Sequence, residues 1–148
     1  MTDREYMHLA IEQARAAALR GEVPIGALVV LDDRILSTAG NRTITDCDPT
    51  AHAEIVALRE AAIAISNYRL TGAALYVTIE PCAMCAGALV QARIARLIYG
   101  ADEPKGGAIR SCMQVLDVPA LNHRVSVTQG VLAEESVALL QSYFADRR

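Results

Sequence analysis

Ile25-Gly26-Ala27-Leu28-Val29-Val30-Leu31-Asp32-Asp33-Arg34-Ile35-Leu36-Ser37-Thr38-Ala39 is the stretch that decides the fold class. Residues 25–31 form a nearly continuous apolar run, which suits a strand buried on both faces. Asp32-Asp33 supplies turn residues, and residues 34–39 read as a second strand. The connection is too short for a crossover, so the two strands form an antiparallel hairpin. Upstream, residues 2–20 read as a helix. Thr2 and Glu5 have capping-box spacing, Met7, Ala10, Ile11, Ala14 and Ala18 make an apolar stripe, and Gly21 ends it.

Downstream of the hairpin, helices and strands alternate. Residues 40–49 form a polar loop, and a helix over about 51–65 follows with Thr50 as its expected N-cap. Residues 74–78 read as a strand. Pro81 suits the first turn of a helix ending near Ala92. Strands over 96–99 and 125–128 bracket a Gly-rich polar loop at 102–110, and a last helix covers 132–144. This order predicts a three-layer α/β/α sandwich around a mixed five-stranded sheet.

Composition narrows the function classes. The chain has 148 residues, and no repeat or linker divides it, so residues 1–148 are expected to form one domain. The 26 alanines favour close-packed helices. Aromatic residues make up only 4% of the chain and tryptophan is absent, which argues against an aromatic platform for single strands. The net charge of −3 argues against nucleic-acid binding by bulk charge and leaves room only for a local basic patch. The N-terminus has no apolar run, and the weakly charged stretch 70–92 is broken by Glu80-Pro81. Neither reads as a signal peptide or a membrane span, so a cytoplasmic location with reduced cysteines is expected.

The chemistry concentrates in His52-Ala53-Glu54 and Pro81-Cys82-Ala83-Met84-Cys85, each at the start of an expected helix. Cys82 and Cys85 are one helical turn apart, so both sulfurs can face one point. A helix N-terminus lowers thiol pKa values. His52 adds a ligand suited to zinc. Two thiolates and a neutral imidazole balance Zn²⁺ and leave a fourth position open to water. Glu54 is the candidate proton carrier, but residues two apart on a helix do not share a face. Both can reach one site only if the helix starts close to His52. Other readings are a redox Cys-x-x-Cys pair, or a structural zinc completed by Cys47, Cys112 or His123.

His-Ala-Glu followed by Pro-Cys-x-x-Cys resembles the zinc-dependent cytidine and deoxycytidylate deaminase superfamily, and that resemblance supplies the link to deamination. Further blocks are similar to bacterial tRNA-specific adenosine deaminases. They are 23–27, 40–42, 48–54, 67–70, 81–88, 122–124, Tyr143-Phe144 and the closing Arg147-Arg148. The resemblance implies a cytidine-deaminase-like fold, one Zn²⁺ per chain on His52, Cys82 and Cys85, and Glu54 as the catalytic carboxylate. It implies hydrolysis of a wobble adenosine in a tRNA anticodon loop to inosine, by a homodimer. The implied substrate contacts are Asn41, Val23, Glu22, Ala53, Glu103, Lys105, Asn122 and Phe144, and the basic side chains Lys105, Arg124, Arg147 and Arg148 are candidates for phosphate contacts. Asn41 also reads as a turn residue, and Phe144, in the stripe Val137, Leu140 and Phe144, equally as core. Glu103 stands where the family usually has aspartate, and Arg110 where it has a small residue. The same zinc site also serves superfamily members acting on free bases or nucleosides, such as guanine or cytosine.

Overall fold

The computed structural model describes residues 1–147. Its elements in chain order are α1 (Asp3–Leu19), β1 (Gly26–Leu31), β2 (Arg34–Gly40), α2 (Ala53–Ile65), β3 (Ala74–Ile79), α3 (Ala83–Gln91), β4 (Arg96–Ala101), a 3₁₀ turn (Val115–Asp117), β5 (Ser126–Thr128) and α4 (Ala133–Ala145). Among the described residues no helix is long and apolar enough to cross a membrane.

The five strands form one sheet in the order β2-β1-β3-β4-β5. β1 is antiparallel to both β2 and β3, whereas β3, β4 and β5 are parallel. The hairpin turns on Asp32 and Asp33, both left-handed at φ 51° and 61°, the backbone that a two-residue turn between twisted strands demands. Successive side chains alternate faces. Leu28, Val30, Tyr76 and Ile98 pack with Tyr6, Met7, Ala10 and Ile11 of α1. Ala27, Val29, Leu75, Val77, Leu97 and Tyr99 join the core that includes residues of α2 and α3. The expected mixed sandwich is therefore present.

The strand directions gather the loops at one edge. Gly26 pairs with Gly40, and Ile79 pairs with Ala101. The N–H of Gly26 donates to Thr78 Oγ1 at 3.2 Å. The start of β1 and the ends of β2, β3 and β4 thus lie together, where an open α/β sheet places its sites. α1 lies so close to this edge that a Cβ on Gly26 would overlap the Ala10 carbonyl and sit 2.7 Å from the Ala14 nitrogen.

The helix starts differ from one another. Thr2 and Glu5 close a complete capping box on α1, as expected. α2 starts at Ala53 with His52 in the N-cap position and no side-chain cap bond. Thr50 is not the cap, because Asp48 accepts its hydroxyl at 2.7 Å and the chain stays extended through His52. α3 begins at Ala83 with Cys82 as an equally bare N-cap, so Pro81 lies just outside the helix.

Gly26→Ala should destabilise the protein by about 2–3 kcal/mol or more through overpacking between α1 and β1. Chemical denaturation checks this, and an unchanged midpoint would contradict the close approach.

Candidate metal centre and active site

The late start of α2 removes the geometric conflict between His52 and Glu54. His52 is extended (φ −65°, ψ 154°), while Glu54 already lies in the first helical turn. The two side chains therefore leave the backbone under different geometries. His52 Nδ1 lies 3.6 Å from Cys82 Sγ and 3.6 Å from Cys85 Sγ. One donor atom from each of the three residues lies within 4.8 Å of the others. A tetrahedral ion with bonds of about 2.0 Å to nitrogen and 2.3 Å to sulfur requires an N···S edge of about 3.5 Å. The donor set fits zinc in both type and spacing.

The titration of these groups reflects how closely they lie. Hydrogen bonds from Cys85 and then from His52 pull the Cys82 thiol down to about 3. The bond to Cys82, together with burial, pushes Cys85 far above the ordinary thiol range. Its hydrogen bond to Cys82 raises the pKa of His52. Glu54 is 3% exposed, and burial raises its pKa. Among the described residues no fourth histidine, cysteine or acid joins the cluster. Cys47 Sγ contacts the Ile44 carbonyl, Cys112 Sγ the Pro104 carbonyl, and His123 Nε2 the Ile94 carbonyl.

One cavity reaches the cluster through Cys82, and a second adjoins that cavity. A cavity of about 1040 Å³ is lined by Cys82, Lys105, Gly106 and Arg147, and shares Glu103, Pro104, Gln141 and Phe144 with a second of about 920 Å³. Val23, Ile25, Val137 and Leu140 line the second. The stripe Val137, Leu140 and Phe144 is a cleft wall and not core. Phe144 is 49% exposed and stands edge-on to Tyr143, which is the buried ring.

Other expected contacts sit differently. Glu22 is wholly buried. Its carboxylate accepts the N–H of Ile44, both the N–H and the hydroxyl of Thr45, and the amide of Asn41. It holds the loop after β2 and presents no surface at the cleft mouth. Asn41 also donates to Thr43 Oγ1 at 3.3 Å, so both of its amide hydrogens have partners. The Ala53 side chain is buried in the core. Asn122 lines neither cavity and accepts from Arg93 at 2.9 Å. The Arg124 guanidinium donates to the carbonyls of Leu116, Val118 and Pro119, which commits it to its own loop. Arg147 stacks 3.6 Å over the Tyr143 ring. Arg148 lies outside the described residues.

One residue that the sequence reading passed over is prominent. Glu80, between β3 and Pro81, is 2% exposed. It accepts the N–H groups of Glu103, Ile109, Arg110 and Ser111. The available signal was an acid closing the apolar run 74–79, opposite a Gly-rich loop.

Cys82→Ser should lose bound zinc and lower the melting temperature, because its sulfur joins the starts of α2 and α3. Metal analysis checks this, and full zinc content would show that the ligand is misassigned. For Glu22, burial opposes ionisation, but the Thr45 hydroxyl and the Thr45 and Ile44 N–H groups outweigh it and hold its pKa below 4.5. Its stabilisation is therefore complete above pH 4.5 and lost as pH falls through the lower folded value. The stability gap between wild type and Glu22→Gln should close over that range. A gap that persists under acid would contradict the assignment.

The MafB19-like deaminase family profile matches residues 1–145. The chain is 48% identical to the tRNA-specific adenosine deaminase of Agrobacterium fabrum, over 97% of this chain and 94% of that one. It is 49% identical to that of Haemophilus influenzae, over 99% and 85%. A solved structure from studies of A-to-I editing by tRNA:A34 deaminases superposes with a TM-score of 0.89. It is 49% identical and covers 92% of this chain and 99% of that one. The guanine deaminase of Bacillus subtilis superposes with a TM-score of 0.69 at 31% identity, over 99% and 94%. With identity near one half along almost its whole length, the chain belongs to the tRNA-specific adenosine deaminase family.

Proposed function

We propose that this protein hydrolyses the wobble adenosine of tRNA anticodon loops to inosine and ammonia, with one Zn²⁺ per chain held by His52, Cys82 and Cys85. The observation that carries this reading is the three-donor cluster, with Glu54 buried next to His52 in the chain and Cys82 reaching the wall of an open cavity. Similarity to tRNA-specific adenosine deaminases supports the choice of substrate. When bound, zinc supplies Lewis acidity that brings the pKa of a water in the fourth position to about 7.

The chain's own residues handle protons and position. The reaction replaces the amine on C6 of adenine with oxygen from water, so protons must move from the water to a ring nitrogen and to the departing amine. The Glu54 carboxylate performs these transfers, and its burial keeps competing bulk water away. Backbone N–H groups in the first turn of α3 aim positive potential at the site and favour developing negative charge. Val23 and Phe144 supply apolar wall. Asn41 offers its side-chain carbonyl to the base edge, since its amide is held by Glu22 and Thr43. Lys105 and Arg147, on the rim of the cavity that includes Cys82, meet phosphates. A loop base reaches the cluster by leaving the stack, which single strands permit at low cost.

The protein acts as a cytoplasmic homodimer in this reading. The groove between α2 and α3, lined by Ile55, Leu58, Ala62, Tyr68 and Ala88, supports pairing through this face. Tyr68 is 71% exposed there.

A second reading, deamination of a free base, draws on the likeness to guanine deaminase and on the net charge of −3. Inosine formation in an anticodon stem-loop, measured beside ammonia release from guanine, cytosine and adenosine, separates the two. Turnover of the stem-loop alone is the expected result. Turnover of a free base alone would overturn the RNA assignment while leaving the zinc chemistry in place. Glu54→Gln should keep zinc and fold but lower turnover by about 10²–10⁴-fold. Retained activity would remove Glu54 from its role.

A further inference from the structure

We propose that Glu80 is a positioning residue for the substrate, whose carboxylate fixes the loop 103–111 as a wall of the cleft beside Cys82. The inference rests on the RNA reading above only for the identity of what the loop holds.

The carboxylate is surrounded by its own chain. One oxygen accepts the Glu103 N–H at 3.0 Å and the Ser111 hydroxyl. The other accepts three successive N–H groups, from Ile109, Arg110 and Ser111, at 3.0, 2.8 and 3.0 Å. Consecutive N–H groups converging on one point make a concave anion site. Here the anion is an internal side chain. Gly107 passes so close that a Cβ there would collide with the Glu80 carboxylate. The Ala108 N–H adds a bond to the Pro81 carbonyl at 2.8 Å. The loop is therefore fastened to the residues directly before Cys82.

What the loop presents gives the anchor its purpose. Glu103, Pro104, Lys105 and Gly106 line the same cavity as Cys82. Lys105 is exposed, and Pro104 and Glu103 also border the neighbouring apolar cavity. The loop contains two adjacent glycines and has no regular structure through residue 114. Without a central anion its amides have no common partner, and the wall keeps only its backbone ties, such as the Ala108–Pro81 bond, to hold its distance from the metal-ligand cluster. Pre-setting that distance lowers the ordering cost of binding an RNA loop.

Glu80→Gln keeps the shape but turns an NH₂ group toward N–H donors. Hydrogen exchange at residues 103–111 should then accelerate at least about tenfold at neutral pH. Zinc content should stay at the wild-type level. KM for the anticodon stem-loop should rise about tenfold, with kcat changed much less. A general loss of stability would not confine faster exchange to one loop or separate KM from kcat. Ser111→Ala, which removes one donor and leaves Glu80 intact, should show the same pattern at smaller size, and keeps the test open if Glu80→Gln fails to fold. Unchanged exchange at 103–111 would overturn the anchor. Faster exchange with unchanged KM would overturn the substrate wall. Exchange needs no substrate, so wild-type inactivity on the stem-loop would overturn the RNA reading while the anchor is still judged.

Discussion

The convergence of His52 Nδ1 with two sulfurs from another helix is the constraint on which the rest of the structure depends. These atoms come from positions 30 and 33 residues apart in the chain. They meet because the loop after β2 and the end of β3 reach the same sheet edge, and because the helices following each start there. The mixed sheet makes this possible. β1 runs against both β2 and β3, so the ends of β2, β3 and β4 share one side. A parallel pair alone would bring together only two of these loops.

Around that point the protein uses the same device twice. A wholly buried glutamate, Glu22, gathers donors from residues 41–45, and a nearly buried one, Glu80, gathers them from 103–111. Each carboxylate lies just outside a strand of the central sheet, before β1 or after β3. The irregular segments flanking the cluster are thereby tied to the ends of central strands. Buried charge is costly unless fully hydrogen-bonded, and here the donors are the loops themselves. Charge satisfaction and loop geometry are one event.

Much of this was legible in the sequence, for identifiable reasons. The hairpin and α1 follow from local patterns, namely an apolar run, a two-residue turn and a capping box, and local patterns need no knowledge of distant partners. The cluster of His52, Cys82 and Cys85 was legible because metal sites demand particular side chains at narrow spacing. The start of α2 was misplaced because Thr50 has the chemistry of a cap, yet Asp48 two residues earlier takes its hydroxyl. The hydrogen-bond partners of Glu80, Asn122 and Arg124 were not legible because they lie 5 to 31 residues away along irregular chain. No periodicity reports such pairings. Phe144 was ambiguous because a helical stripe does not say whether it faces core or cleft.

The three well-defined helix starts repay comparison. α1, remote from any chemistry, closes its first turn with reciprocal side-chain bonds, an arrangement generally worth about 1 kcal/mol. α2 and α3 place a side chain of the donor cluster at the same position and forgo that contribution. Their initiation is therefore thermodynamically linked to whatever His52 and Cys82 grip. A metal gripped there would therefore act on the first turns of two helices at once, the two that carry no side-chain cap of their own.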